Sequence, residues 1–170
     1  MRKPKGIIEI FLQPGELYFG DRYTRIRTLL GSCVSLVCWH PQLLIGGMCH
    51  FMLPTRPRPP MNELDGRYGD EAIELMLRQA RLQGVSAKEF RIQLFGGGDM
   101  FPTLGKQKSN LVGQKNVDAA LQLLQAHGLT CKGADVKGVG HRNLIFDLWN
   151  GQVLLKHIPS AMGVGQDGCV

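Results

Sequence analysis

The sequence predicts an α/β (α+β) domain: one layered unit of mixed, largely antiparallel β-sheet with two main amphipathic helices packed outside it. Three observations lead there. Short strand-like runs outnumber helical ones. Those runs come in hairpin-like groups, and the two helical stretches stand well apart, which argues against a doubly wound parallel sheet. At 170 residues, 44% hydrophobic and 20% charged, the chain fits one soluble domain of ordinary composition.

Residues 7–12 and 24–30 read as strands; in the second, Ile26, Thr28 and Leu30 alternate with Arg25, Arg27 and Leu29. After Gly31-Ser32, residues 33–39 are a continuous apolar run with Val34, Leu36 and Cys38 on one side, ended by the turn His40-Pro41-Gln42. "LLIGGMCHFML" follows as another strand, in which Met48, His50 and Met52 share a face and Gly46-Gly47 permits close backbone approach. Residues 54–69 are Pro-rich and polar, a loop directly after the His50 strand. From Asp70, Ile73, Met76, Leu77 and Ala80 repeat with helical spacing, and Gly84 is a natural stop. "EFRIQLF" alternates as a strand and runs into the glycine-rich turn "GGGDMF". Residues 115–127 form the second helix, with Val117, Ala120, Leu121 and Leu124 as its buried stripe and Gly128 beyond its end. "NLIFDLWNGQVLLKH" is a pair of strands joined at Asn150-Gly151, a strong hairpin signal. The domain is expected to span 1–158, with 159–170 a flexible tail.

Composition narrows the function. No apolar run approaches the roughly 20 residues of a membrane-spanning helix, and the basic N-terminus carries too short an apolar run for a signal segment, interrupted by Glu9. Cytoplasm is expected, with no insertion into the membrane. Five cysteines (Cys33, Cys38, Cys49, Cys131, Cys169) make an odd set better read as reduced thiols than as a disulfide framework. The net charge of +6 suits an anionic partner, but the basic residues are scattered and no nucleic-acid motif accompanies them. "GGGDMF" lacks the Lys-Ser/Thr of a phosphate-binding loop and the spacing of a dinucleotide site; its glycines serve a tight turn or let another chain approach the backbone, and Asp99 there reads as a cap.

The chemistry concentrates at residues 28–53. Cys33 follows Gly31-Ser32, residue types that allow a tight turn and leave successive backbone N–H groups free for an oxyanion. If the two strands flanking "HPQ" pair antiparallel, His50 sits near Cys33, as a thiol–imidazole pair requires. Selective alkylation of Cys33 at mildly acidic pH would mark it as an ionised nucleophile. A buried Cys as a small hydrophobe and a hydrogen-bonded core His remain open at this level. A zinc site from Cys33, Cys38, Cys49 and His50 is disfavoured, because alternation turns Cys33 from Cys38 and Cys49 from His50.

Over about residues 7–156 the chain resembles the chemoreceptor glutamine deamidases, the CheD family. The matching segments are "LLGSCVSLVCWHPQLLIGGMCHFMLP", "RYGDEAIELML", "FGGGDMF", "VGQKNVDAALQLL" and "DVKGVGHRNLIFDLWNGQVLLK", in the family's order. The resemblance implies a cysteine amidohydrolase that converts glutamine side chains of methyl-accepting chemotaxis proteins to glutamate, with a layered fold similar to the cytotoxic necrotizing factor-type deamidases. It implies Cys33 as nucleophile, His50 as its base and acid, and Thr28 as the residue that orients His50. It also implies the phosphatase CheC as a possible partner, no cofactor and no metal. The alternative from another class is a non-catalytic adaptor that binds receptors or CheC, with Cys33 structural.

Overall fold

The structure, a computed structural model, describes residues 1–58, 63–102 and 109–159, the side chains of 109–111 excepted. The expected tail lies outside the described residues from 160 onward, as does Cys169, and so do residues 59–62 of the Pro-rich loop. The strands are β1 (Ile8–Leu12), β2 (Leu17–Gly20), β3 (Thr24–Leu30), β4 (Val34–His40), β5 (Ile45–Cys49), β6 (Arg91–Gly96), β7 (Cys131–Val136), β8 (His141–Asp147) and β9 (Gln152–Ile158); the helices are α1 (Gly69–Leu82) and α2 (Ser109–Ala126).

These strands divide between two sheets. β1-β3-β8-β9 form a four-stranded sheet and β2-β5-β4-β6-β7 a five-stranded one. Five of the seven strand pairs are antiparallel; β1–β3 and β6–β7 are parallel. The mixed, largely antiparallel expectation holds, and the split into two sheets adds to it.

Strand β4 explains the layering. All seven of its residues are buried, as expected of an apolar run covered on both faces. Its Leu36 and Cys38 join Ile73, Met76, Leu77 and Ala80 of α1 and Val117, Ala120 and Leu124 of α2 in one core. Its Val37 and Trp39 join Ile26 and Leu30 of β3 and Leu144 and Phe146 of β8 in a second core between the sheets. The order of layers is therefore four-stranded sheet, five-stranded sheet, helices. Trp39 also ties the two sheets together, donating its indole N–H to the carbonyl of Leu148, just past β8, at 2.9 Å.

The helix ends fall where the sequence places its stop signals. Gly84 and Gly128 follow α1 and α2 with φ of +74° and +67°, the left-handed region where glycine carries no Cβ penalty. Two details differ. Helix α2 begins at Ser109, six residues before the expected start, and Leu121 lies on its outer flank, 42% exposed, while Val117, Ala120 and Leu124 are buried. The Asn150-Gly151 hairpin is present between β8 and β9, with Gly151 at φ +71°.

Candidate active site

The site is set by the pairing of β4 with β5. Their register runs from His40↔Ile45 to Val37↔Met48, and beyond β5 Val34 and Phe51 exchange both backbone hydrogen bonds, at 3.1 and 3.0 Å. Val37↔Met48 and Val34↔Phe51 are the same number of residues apart on both strands, so no bulge intervenes. Ser35 then stands opposite His50, and Cys33 opposite Met52. Because side chains alternate across a strand, Cys33 and Ser35 share the face of Val37, and His50 that of Met48, toward the four-stranded sheet. Cys33 and His50 are diagonal neighbours on one face, a relation spanning roughly 7–8 Å between positions. Cys38 and Cys49 instead face the helices, as alternation predicted.

Thr28 reaches this face from the other sheet. Its Oγ1 lies 2.7 Å from Nδ1 of His50 and donates to the Leu12 carbonyl at 2.9 Å. A hydroxyl has one hydrogen. With that hydrogen on the Leu12 carbonyl, Oγ1 can only accept from His50, so Nδ1 carries the imidazole proton. Nε2 is then left with its lone pair, the form in which a histidine can take a proton. The His50 backbone is held as firmly: its N–H donates to the Glu16 carbonyl at 3.0 Å, and its carbonyl accepts from Gly15 at 2.7 Å.

Electrostatics favour a neutral resting pair. Burial pushes the His50 pKa down to about 4, opposed weakly by the Glu16 carboxylate. Burial also pushes the half-buried Cys33 thiol above its ordinary value, opposed by its own backbone N–H. The structure thus departs from the expectation of a thiol ionised at mildly acidic pH. Removing a thiolate from water costs more than this environment returns, so activation falls to proton transfer at the time of reaction.

The turn that carries Cys33 is pinned through its carbonyls. Gly31 accepts from the Gly98 N–H at 2.9 Å, Cys33 from the Gly97 N–H at 2.8 Å, and Ser32 from Asn116 Nδ2 at 3.1 Å. The peptide bonds of the described residues are all trans, so each N–H points opposite the preceding carbonyl. The amides of Ser32 and Cys33 consequently face away from these anchors. Glycine is required in the anchoring loop: a Cβ on Gly96, whose φ is +106°, would collide with the Cys33 carbonyl. The glycines thus let other segments of the same chain approach the backbone, and Asp99 caps the turn by accepting from the Phe101 N–H at 3.0 Å.

The structure therefore brings Thr28 and His50 into direct contact, places Cys33 one diagonal step from His50, and puts Gly31 and Ser32 in the turn before it. Sequence reasoning missed Asn116, a fully buried helix residue whose Nδ2 also donates to the Met52 carbonyl at 2.9 Å. It missed Ser35 as well, whose buried hydroxyl opposite His50 has no hydrogen-bond partner among the described residues. Nothing in the sequence distinguishes either from an ordinary polar residue.

A three-layer α+β domain presenting a thiol, a tautomer-fixed imidazole and a hydroxyl at the junction of its sheets belongs to the class of layered domains with a Cys–His–Thr site. The family model described as "CheD chemotactic sensory transduction" matches residues 52–157. A protein of Pseudomonas syringae pathovar tomato, called a probable chemoreceptor glutamine deamidase CheD, is 52% identical over 160 residues, 94% of this chain and 95% of that one. Its counterpart of the same name in Pseudomonas fluorescens is 49% identical over 168 residues, covering 98% and 93%. A more distant relative in Leptospira interrogans, a probable chemoreceptor glutamine deamidase CheD 1, is 39% identical over 161 residues, covering 91% and 95%. The chain belongs to the CheD family.

Proposed function

We propose that this chain is a protein-glutamine deamidase that hydrolyses glutamine side chains of methyl-accepting chemotaxis proteins to glutamate and ammonia. The observation that carries the reading is the Thr28–His50 hydrogen bond on the face shared with Cys33, together with the names of the full-length relatives. Cys33 Sγ attacks the carboxamide carbon while its proton passes to His50 Nε2. The negative charge that develops on the amide oxygen is met by the outward N–H groups of the Gly31–Cys33 turn, Ser32 and Cys33 being the donors. The imidazolium that results is held by Thr28 and returns the proton to the leaving nitrogen, which departs as ammonia. Water, deprotonated by His50, then hydrolyses the thioester to the glutamate side chain and restores the thiol.

A His50 pKa near 4 suits this cycle, because the base is unprotonated at neutral pH and becomes a strong acid once charged. Four described thiols are free, which fits the reducing cytoplasm, and no helix among the described residues is long and apolar enough to cross a membrane. The net charge of +6 favours approach to acidic receptor helices. The phosphatase CheC as a regulatory partner belongs to this reading through the family resemblance.

The test is ammonia release from a chemoreceptor cytoplasmic fragment. Wild-type protein should release ammonia, and Cys33→Ala and His50→Ala should not while remaining folded. Release by Cys33→Ala would refute the mechanism. Binding of the fragment without release by the wild type would establish the adaptor instead.

A further inference from the structure

Next to the Cys33 turn the β-ladder stops, and a side chain takes its place. The last backbone pair is Val34–Phe51. One step further, the Met52 N–H turns away to the Arg67 carbonyl at 2.8 Å, so the Ser32 and Met52 carbonyls lie near one another as two acceptors. Carbonyls cannot bond each other. Asn116 Nδ2 donates to both, at 3.1 and 2.9 Å. The orientation of the amide follows from chemistry, since only its nitrogen has hydrogens to give to two carbonyls.

We propose that Asn116 is a positioning residue for the reaction, stapling the turn of the nucleophile to the segment that follows the base. The proposal rests on the Cys33–His50 reading above. Ser32 immediately precedes Cys33, and Met52 stands opposite Cys33 and two residues beyond His50. The staple therefore fixes the distance between the two reacting groups, which touch neither each other nor Asn116 in sequence. Helix α2 supports the same turn a second way: Gly113, one turn before Asn116, packs its bare Cα against the Gly97 loop, whose amide holds the Cys33 carbonyl.

The choice of asparagine is costly for stability alone. Asn116 is 0% exposed, and its Oδ1 is buried with no partner among the described residues. An unsatisfied buried acceptor costs roughly 1–3 kcal/mol, and such a group in a native fold calls for an explanation. A primary amide is the compact side chain that offers two hydrogens from one atom; serine offers one, and aspartate none at neutral pH. The Oδ1 cost is what accompanies that double donation.

The experiment compares wild type, Asn116→Ala, Asn116→Ser, His50→Ala as the reference without the base and, as a control for helix destabilisation alone, Leu124→Ala, a core residue of the same helix two turns away. Three quantities are read on the folded fraction: kcat and KM for a receptor fragment, and the rate of Cys33 alkylation by iodoacetamide against pH. For Asn116→Ala we expect kcat to fall about 10–100-fold with KM within about twofold, the size expected when reacting groups move by about 1 Å. Its alkylation at neutral pH, in which the thiol proton passes to His50 as Sγ attacks the reagent, should fall to that of His50→Ala, and Asn116→Ser should recover part of both. Leu124→Ala should lower Tm at least as much yet keep the wild-type kcat and alkylation profile. If Asn116→Ala does not fold, Asn116→Ser alone must show the kcat loss without the KM change. A wild-type kcat and alkylation profile in either folded Asn116 variant, or equal loss in Leu124→Ala, would overturn the proposal. Equal alkylation of wild type and His50→Ala would instead overturn the Cys33–His50 reading beneath it.

Discussion

His50 couples the stability of this fold to pH, and the coupling can be isolated. Its folded pKa of about 4 lies below the ordinary 6.5 because the ring is buried, 2% exposed, between the sheets. A lowered pKa means that the unfolded chain binds the proton more tightly, so stability rises with pH between the two values. The stabilisation is complete above about pH 6.5, shrinks by about 2 kcal/mol at pH 5 and about 3 kcal/mol at pH 4, and falls little further below that. Against a typical total of roughly 5–15 kcal/mol this is a large share. Carboxylates titrate in the same range, so wild type must be compared with His50→Gln, which has no proton to gain. Urea unfolding at pH 7, 5 and 4 gives both curves, and their difference should follow the stated values. Parallel curves for the two proteins would show that His50 is not held neutral, and the account of a lone-paired Nε2 would fail with it.

Other perturbations follow from single contacts. Thr28→Val keeps the shape but removes the hydroxyl shared by Leu12 and His50; we expect about 1–3 kcal/mol lost in urea unfolding and a lower kcat, both restored by Thr28→Ser. Gly96→Ala drives a Cβ into the Cys33 carbonyl at a φ of +106°, and should cost more stability than the roughly 1 kcal/mol separating Gly from Ala in ordinary backbone, with activity lost alongside. Trp39→Phe removes the indole bond to the Leu148 carbonyl and leaves a buried acceptor unpaired; a loss of about 1–3 kcal/mol is expected by thermal or urea unfolding.

What the sequence discloses depends on how local the cause is. Strand β4 and both helices carry their periodicity in their own residues, and the stops at Gly84 and Gly128 need only a left-handed position. Alternation likewise sorts Cys33 from Cys38 and His50 from Cys49 before any coordinates. Strands β2 and β7 escaped because they lie at the edges of their sheet and are half-buried or exposed, which leaves little apolar alternation to detect. The division into two sheets is not local at all: β3 finds its antiparallel partner β8 more than a hundred residues on, as in Arg25↔Asp147. The site shows the same contrast. Cys33, His50 and the inward face of Thr28 are legible from spacing and alternation, with the family resemblance. The fixed tautomer depends on the Leu12 carbonyl of a parallel neighbour. Asn116 sits 83 residues from Cys33 in a helix where asparagine reads as a solvent-facing residue.

The central claim is that Cys33, activated by His50, deamidates receptor glutamines, and peptide mass spectrometry tests it most directly. A receptor cytoplasmic fragment is incubated with wild-type protein or Cys33→Ala, digested, and each glutamine-containing peptide is weighed. The account predicts that chosen peptides gain the mass difference between an amide and an acid only with the wild type, at defined glutamines. The same gain with Cys33→Ala, or none with folded wild-type protein, would contradict it.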